Sequence, residues 1–244
     1  MANPTAAMLV IGDEILSGRT RDANMHHLAG RLTEMGIDLK EVRVVSDDHD
    51  AIVSAVRALS GSYAHVFTSG GIGPTHDDIT ADAVAAAFGA GIDVRADALE
   101  RLQAHYDRQG TQINDARRRM ARIPDGAALI DNPISAAPGF SIGNVHVMAG
   151  VPAIFEAMVA SLLPTLTGGA PLRSVTLRIA RGEGDVAAAL SALATDMAQV
   201  SFGSYPFIQN GVYGTNIVMR SSDEDALDMA AARLAQAFPE AERQ

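Results

Sequence analysis

Hydrophobic residues in the first third of the chain follow two alternating spacings. Continuous or alternating apolar residues, typical of buried strands, occur at 6–11, 39–45 and 65–68. Apolar residues three or four positions apart, typical of amphipathic helices, follow these strands at 25–35, 52–59 and about 80–88. This alternation predicts an α/β fold with a parallel sheet and helices on both of its faces.

The middle of the chain predicts further helix, a hairpin and then a linker. Residues 96–122 are strongly charged and are expected to be mostly helical. A hairpin around Gly143-Asn144 is predicted from the apolar stretches 140–142 and 145–148, and a helix follows from 152 to about 163. The glycine- and proline-containing stretch 167–171 is typical of a linker. We therefore expect a first domain at 1–166 and a second at 172–244.

The second domain has its own periodicity. Strand-like stretches occur at 175–179, 201–208 and 215–220, and helical spacing occurs at 186–197 and 227–238. The order strand–helix–strand–strand–helix predicts a small α+β domain. The last two residues, Arg243 and Gln244, are expected to fray.

Composition narrows the classes of partner. The 244 residues carry a formal net charge of −10, which argues against nucleic acid, because phosphate neutralisation dominates that affinity. Cysteine is absent, which excludes disulfides and thiolate metal sites. No apolar stretch approaches the ~18 residues of a membrane span, and the N-terminus lacks the basic region of a signal peptide. We expect a cytoplasmic protein without a membrane partner.

The most informative segment is the glycine-rich stretch Ser69–Thr80, which follows the third predicted strand and leads into a helix. Glycines let backbone N–H groups face an anion, and a helix N-terminus adds partial positive charge. The segment is neither a Walker A loop nor a dinucleotide fingerprint, because it lacks GK[ST] and the third glycine of GxGxxG. The structural alternative is a tight turn in which Thr75 and Asp78 form a capping box. The adjacent Asp77 and Asp78 favour a phosphate site with a divalent metal ion between carboxylates and phosphate.

Two more acidic pairs, Asp13-Glu14 and Asp47-Asp48, follow the first and second predicted strands. Each pair alone is typical of helix caps. With Asp77-Asp78, however, they follow three successive parallel strands, and ligands of open α/β sheets bind at that edge. The sequence therefore predicts an acidic ligand site there.

Three other features are weaker. Asn132–Phe140, with two prolines and a glycine, predicts a structural turn, or alternatively a rigid pocket wall. The basic stretch Arg117–Arg119 with Arg122 is typical of a solvated helix face, and no spacing singles out one arginine for a phosphate. His76 is a site candidate by position only.

Several of these motifs together resemble the molybdopterin-binding (MoaB/Mog-like) superfamily, and in particular the N-terminal domain of the CinA (competence/damage-inducible protein A) type. They are Gly12-Asp13-Glu14-Ile15-Leu16, Ser46-Asp47-Asp48, the Gly70–Thr80 loop, Asn132–Phe140 and Gly150-Val151-Pro152. The resemblance covers nearly the whole chain. It implies a three-layer α/β molybdopterin-binding fold, followed by a small C-terminal α+β domain.

The resemblance also implies roles for residues. Asp47 and Asp78 are expected to be catalytic and to hold a divalent metal ion, and Gly70, Gly71 and Gly73 to bind phosphate oxygens through their N–H groups. The full set of expected substrate-binding residues is Gly12, Asp13, Glu14, Ser69, Gly70, Gly71, Gly73, Pro74, Thr75, Asp77, Thr80, Asn132, Pro133, Pro138 and Gly139. The implied ligand is a small nucleotide or pterin, and the implied assembly is a homo-oligomer.

Three functions remain open at this point. The resemblance favours metal-dependent hydrolysis of a nucleotide-linked pyrophosphate such as ADP-ribose. The alternative is a molybdopterin-binding or adenylyl-transferring protein of molybdenum cofactor biosynthesis, and a non-catalytic regulatory module is the third. The C-terminal amidase domain of full-length CinA proteins is not in the chain, so amidase activity is not expected. Ser135-Ala136 also departs from the Gly-Thr that is usual in the family.

Overall fold

The computed structural model describes residues 3–209 and 211–244 and divides the chain into two compact units after Gly169. In the part of the chain so described, no helix is long and apolar enough to cross a membrane. Each unit has its own hydrophobic core. The division falls inside the glycine- and proline-containing stretch 167–171.

The first unit alternates strands and helices along most of its length. Its elements are β1 (Thr5–Ile11), α1 (Asp13–Leu16), α2 (Asn24–Glu34), β2 (Asp38–Val45), α3 (His49–Ser60), β3 (His65–Ser69), α4 (Thr80–Phe88), β4 (Ile92–Val94), α5 (Ala96–Arg108), α6 (Asp115–Arg119), β5 (Arg122–Pro124), β6 (Ala128–Ile130), β7 (Gly139–Ile142), β8 (Val145–Met148) and α7 (Pro152–Leu162), followed by a 3-10 turn at Leu163–Thr165.

The main sheet has the strand order β2-β1-β3-β8-β7-β6 in the described residues. β2, β1, β3 and β8 run parallel, whereas β7 and β6 are antiparallel to their neighbours, so the sheet is mostly parallel, as predicted. The carboxyl ends of β1, β2, β3 and β8 therefore meet at one edge. The predicted hairpin is the β7–β8 pair around Gly143.

β1 is covered on both faces, which explains its continuous apolar sequence. Its residues alternate between two cores. Leu9 packs in the core that contains α3 and α4, and Met8 packs in the core that contains α2 and α7. The result is the expected three-layer arrangement of helix, sheet and helix.

The charged stretch 96–122 is mostly helical, as expected, but it is divided into two helices. α5 ends at Arg108, and Gly110 adopts a left-handed conformation (φ 64°), which suits glycine and stops the helix. A new helix, α6, begins after Asn114, whose side chain accepts a hydrogen bond from the Arg117 N–H. Arg122 then lies in β5, which pairs with β4.

The second unit is an antiparallel sheet packed against two helices. Its elements are β9 (Arg173–Ile179), α8 (Glu183–Asp196), β10 (Ser201–Gln209), β11 (Val212–Ser221), α9 (Glu224–Ala237) and β12 (Glu242–Arg243), and its strand order is β10-β11-β9-β12. The α+β prediction is confirmed. The expected fraying of the C-terminus is wrong, because β12 pairs with β9 and the Gln244 N–H donates to the Thr176 carbonyl.

Candidate functional site

A cleft of about 530 Å³ lies at the edge of the main sheet where the parallel strands end. Loops that follow β1, β2, β3 and β8 form its walls, together with residues after α6 and before β7. It is lined by Ile11, Glu14, Thr20, Asp47, Gly70, Gly71, Ile72, Gly73, Pro74, Asp77, Asp78, Met120, Asn132, Ser135, Ala137, Ala149, Gly150, Val151, Pro152 and Ile154.

The glycine loop requires glycine at its first two positions. Gly70 (φ 110°) and Gly71 (φ 67°) are both in the left-handed region. A Cβ on Gly70 would lie 2.2 Å from the Ile11 carbonyl oxygen, and one on Gly71 would lie 2.1 Å from Thr80 Oγ1. The loop therefore lies directly against the end of β1 and the start of α4.

The N–H groups of the loop are not all available to a ligand. The Gly70 N–H donates to the Met148 carbonyl (3.2 Å), which ties the loop to the end of β8. The N–H groups of Gly71, Ile72 and Gly73 have no acceptor among the described residues. These three N–H groups, rather than that of Gly70, are the ones that can bind an anion.

Asp78 closes a turn and does not cap the following helix. Its Oδ2 accepts a hydrogen bond from the Thr75 N–H (2.7 Å) and another from the Thr75 hydroxyl. α4 begins at Thr80, and its N-cap position is Ile79 without a side-chain cap. The structural alternative, in which Thr75 and Asp78 form a capping box for this helix, is therefore wrong. Asp78 Oδ1 accepts no hydrogen bond from the described residues, and the side chain lines the cleft.

Asp47 is a half-buried carboxylate of the site, and it is the one whose pKa its surroundings raise. Its Oδ2 accepts a hydrogen bond from the Asp13 N–H (2.9 Å). Burial raises the pKa of Asp47 above its usual value, and the negative charges of Asp13, Glu14 and Asp77 raise it further, whereas the hydrogen bond from Asp13 opposes the shift. A bound cation would relieve this repulsion.

The neighbouring Asp48 has a different role. It is the N-cap of α3, where its Oδ1 accepts a hydrogen bond from the Ala51 N–H (2.8 Å). Of the two acidic residues after β2, one therefore faces the cleft and the other holds a helix.

In the acidic pair after β1, Glu14 lines the cleft and Asp13 does not. Glu14 lines the cleft and folds back over Gly12, where an added Cβ would lie 2.6 Å from Glu14 Oε2. Asp13 is exposed and contributes its N–H to Asp47. Gly12 thus leaves space for the Glu14 carboxylate.

Asn132 organises the wall formed by 132–140. Its amide donates to Ser135 Oγ (2.6 Å) and to the Ala137 carbonyl (2.9 Å), and its Oδ1 accepts from the N–H groups of Ile134 and Ser135. Ala136 has a positive φ of 61°, which is unusual without glycine. The wall is therefore both part of the pocket and a rigid turn.

Some predicted residues support the site without lining the cleft. Thr80 is fully buried beneath Gly71, and Gly139 lies in β7 against the Val147 carbonyl. Pro138 lines a small adjoining cleft beside Asp78, whereas Pro133 is exposed and lines neither cavity.

Asn24 is a supporting residue that the sequence motifs do not indicate. It is buried at the start of α2, and its amide donates to Ser69 Oγ (2.7 Å) and to the Gly150 carbonyl (2.8 Å). It therefore connects the ends of β3 and β8. No local pattern marks this residue, because its partners lie 45 and 126 positions away in the chain.

The carboxylates of the cleft supply only part of the coordination that a divalent metal ion needs. Among residues 3–209 and 211–244, no group of three or more His, Cys, Asp or Glu side chains is arranged to hold a metal ion. Mg²⁺ in phosphate-processing sites is commonly bound by one or two carboxylates, with phosphate oxygens and water as the other ligands. Asp47, under repulsion from its neighbours, and Asp78, with one free oxygen, have the oxygen donors for that mode.

Comparisons with known proteins agree with this architecture. A family model described as "Probable molybdopterin binding domain" matches residues 7–168, and one described as "FAD synthase, middle domain" matches residues 171–243. A CinA-like protein of Citrifermentans bemidjiense is 39% identical over 180 residues, which are 71% of this chain and 44% of the relative. A probable FAD synthase of Caenorhabditis elegans is 32% identical over 248 residues, covering 92% of this chain and 48% of the relative.

The solved structure of a CinA protein from Thermoplasma acidophilum, described as of unknown function, is also similar. It has a TM-score of 0.61 and 32% sequence identity, and the match covers 66% of this chain and 97% of that one. The chain spans less than half the length of the two relatives described above. The chain belongs to the molybdopterin-binding domain family, with CinA-like relatives, and carries a C-terminal unit that matches the FAD synthase middle domain.

Proposed function

We propose that this chain hydrolyses a nucleotide-linked pyrophosphate such as ADP-ribose and that it requires a divalent metal ion. The observation that carries the proposal is the position of four carboxylates around a glycine loop with free N–H groups. Glu14, Asp47, Asp77 and Asp78 line the same cleft as Gly71 and Gly73. A site that only bound phosphate would be weakened by these charges, whereas a metal ion would make them favourable.

The residues have distinct roles in this proposal. The N–H groups of Gly71, Ile72 and Gly73 hold phosphate oxygens, because they have no acceptor among residues 3–209 and 211–244. Asp47 and Asp78 hold the divalent ion, which supplies Lewis-acid stabilisation of the phosphoryl charge when bound. Thr75 keeps Asp78 oriented through two hydrogen bonds to one of its oxygens. Water attacks one phosphorus atom, the bridging P–O bond breaks, and ADP-ribose gives AMP and ribose 5-phosphate.

A second candidate is supported by the family match. The description "Probable molybdopterin binding domain" favours a pterin ligand in the same cleft. In that case, the same groups would bind or adenylylate molybdopterin, and hydrolysis would not be the task. The C. elegans relative, named as a probable FAD synthase, supports a nucleotide ligand.

The two candidates are separated by a panel assay of the purified chain. ADP-ribose, FAD, NAD and molybdopterin are each incubated with Mg²⁺, Mn²⁺, Co²⁺ or Ni²⁺, and AMP is quantified. We expect metal-dependent AMP release from ADP-ribose or a related dinucleotide, and none in excess chelator. Turnover that persists in chelator, or conversion of molybdopterin alone, would overturn the proposal.

A further inference from the structure

Four arginines close together in the sequence have different surroundings in the structure. The guanidinium of Arg117 donates to the Gln112 carbonyl (2.7 Å) and lies over the Tyr106 ring, 4.7 Å from its centroid. Arg122 makes two hydrogen bonds to the carboxylate of Asp82, at 2.7 and 2.6 Å. Both side chains are therefore held by the first unit itself.

The other two arginines, Arg118 and Arg119, are exposed. Neither side chain has an ion-pair or hydrogen-bond partner within the described residues 3–209 and 211–244. Of these two arginines, Arg119 lines the small cleft that adjoins the candidate site, together with Gly73, Asp78 and Pro138, and Arg118 does not. It has this position because it is the last residue of α6, directly before Met120, which lines the main cleft.

The charge balance of the site gives Arg119 a specific significance. The residues that line the main cleft include four carboxylates and no lysine or arginine. In the adjoining cleft, the charge of Arg122 is compensated by Asp82, so Arg119 is the uncompensated cation beside Asp78. Arg21 lies in a different adjoining cleft, on the Glu14 side.

We propose that Arg119 is a substrate-binding residue that contacts the phosphate groups of the ligand from the Asp78 side. The proposal rests on the proposed function for the nature of the ligand, a pyrophosphate ester with a nucleotide half. A guanidinium presents a planar set of N–H donors that matches two phosphate oxygens. Because its side chain is free and solvated in the absence of ligand, Arg119 breaks no internal ion pair when it binds the anion.

The test compares three variants in a binding assay that does not depend on turnover. Equilibrium binding of AMP and of ADP-ribose is measured by calorimetry for the wild type, Arg119→Gln, Arg119→Lys and Arg118→Gln. Arg118→Gln is the matched control, because Arg118 is the adjacent residue, is also exposed, and also has no side-chain partner in the described part of the chain. AMP release from ADP-ribose is measured in parallel with divalent metal ions.

Arg119→Gln is expected to weaken nucleotide binding about 10-fold or more, the usual effect of losing a charged hydrogen bond. Arg118→Gln should change affinity by no more than about twofold, as surface substitutions usually do. Arg119→Lys should be intermediate, because it keeps the charge and loses the planar donor set. The effect of Arg119→Gln should also shrink at high salt, because the contact is solvated.

The two proposals can fail separately. Equal affinities in Arg119→Gln and Arg118→Gln, with normal AMP release by the wild type, would overturn the role of Arg119 and leave the proposed function intact. Weakened AMP binding in Arg119→Gln alone, with no wild-type hydrolysis of any dinucleotide, would overturn the proposed function and keep the Arg119 contact. A wild type that binds neither AMP nor ADP-ribose would overturn both.

Discussion

Adjacent acidic residues at the edge of this sheet have different roles, and the difference is visible in their hydrogen bonds. Asp48 satisfies an N–H group of α3, whereas Asp47 accepts from the Asp13 N–H and lies among other carboxylates. Asp48 therefore stabilises a helix, whereas Asp47 is repelled by the carboxylates around it. Asparagine substitutions at the two positions should therefore both preserve the fold, and only the one at Asp47 should reduce the activity.

Asp47→Asn is expected to keep the fold and lose the activity. Asparagine can still accept the Asp13 hydrogen bond, and the removed charge relieves repulsion from Glu14 and Asp77. In chelator, the free energy of unfolding should be unchanged or rise by about 0.5 kcal/mol, the scale of interactions between solvated charges. AMP release should fall on the order of 10²-fold if a metal ligand is lost. Denaturation and turnover assays measure the two effects.

The control for this substitution is Asp48→Asn. Asparagine caps helices as well as aspartate does, so both stability and turnover should stay near those of the wild type. A loss of turnover in Asp48→Asn that equals the loss in Asp47→Asn would contradict the assignment of Asp47.

A second residue-level prediction concerns a buried histidine outside the site. His146 Nδ1 lies 2.8 Å from Ser141 Oγ, and its Nε2 lies 3.3 Å from His65 Nδ1. Burial, and secondarily the charge of His65, lowers the pKa of His146 to about 4. Between pH 6.5 and pH 4, His146 is therefore mostly protonated in the unfolded chain and mostly neutral in the folded chain.

The stabilisation from neutral His146 is present above its unfolded pKa of 6.5 and is lost as the pH falls towards 4. This shift corresponds to a loss of about 3 kcal/mol of unfolding free energy between pH 7 and pH 4. The free energy of unfolding, measured by urea denaturation at several pH values in this range, should change less with pH in His146→Gln than in the wild type. The exposed His26→Gln should behave like the wild type. Identical slopes in all three proteins would show that His146 is not the titrating group.

Periodicity and spacing placed the acidic pairs at one sheet edge but could not assign roles within each pair, and only the family resemblance singled out Asp47 and Asp78. Whether Asp48 or Asp47 caps α3 depends on the residue at which the helix starts, and Asp78 serves a turn because α4 starts at Thr80. Arg119 could not be distinguished from Arg118 for a similar reason. Its position follows from the end of α5 and the direction of the short α6, which no periodicity specifies.

At the scale of elements, the site is held by contacts between loops that are distant in sequence. The glycine loop after β3 is bonded to β8 through the Gly70 N–H and the Met148 carbonyl. From α2, the buried Asn24 holds Ser69 and the Gly150 carbonyl. The geometry of the loop therefore depends on an element that contains no predicted site residue.

Asn24→Ala should weaken nucleotide binding, although Asn24 does not line the main cleft. The substitution leaves the buried Ser69 hydroxyl without its donor, at a cost of about 1–3 kcal/mol of stability, and removes the hydrogen bond to the Gly150 carbonyl, which frees the two loops to separate. Melting temperature and AMP affinity should both fall.

Asn144→Ala is a matched control for this prediction. Asn144 also donates two hydrogen bonds to carbonyls, those of Ser60 and Tyr63, but it lies in the β7–β8 turn at the other edge of the sheet. We expect a similar loss of stability without a loss of AMP affinity. If both variants lose affinity equally, general destabilisation is the cause and Asn24 has no special role.

Long periodic elements were predictable because burial determines their sequence. β1 is apolar at every buried position, and the stripes of α2 and α3 face the two cores. The break between α5 and α6 leaves no periodic signal, because the charged residues on either side have helical propensity, and only Gly110 as a helix stop and Asn114 as an N-cap mark it locally. The long-range contacts of Asn24 within the chain leave no periodic signal in the sequence.

At the scale of the whole molecule, the chain consists of two units with separate cores. Phe67, Phe140 and Phe155 are buried in the first unit, and Leu234 and Phe238 are buried in the second. The residues of the candidate site lie within the first unit. The linker composition made this division predictable from sequence.

A fragment that ends at Gly169 should fold and bind AMP with an affinity close to that of the full chain. Gly169 must be kept, because its N–H donates to the carbonyls of Met35 and Gly36. Circular dichroism and calorimetry measure fold and binding. A folded fragment that has lost AMP binding would show that the second unit, or an oligomer that it forms, completes the site.

Asp78 is the residue whose substitution separates pyrophosphate hydrolysis by the cleft from the structure of the loop. Asp78→Asn retains an oxygen that can accept the two hydrogen bonds from Thr75, so the turn and the melting temperature should be preserved. Asp77→Asn tests the neighbouring carboxylate, and Asp107→Asn, at the end of α5, serves as a control for the loss of one negative charge.

The deciding measurement is metal-dependent AMP release from ADP-ribose by wild type and Asp78→Asn under identical conditions. We expect release by the wild type that stops in chelator, and a fall on the order of 10²-fold in Asp78→Asn with an unchanged melting temperature. Near-normal AMP release by Asp78→Asn, or none by the wild type with any divalent ion, would contradict it.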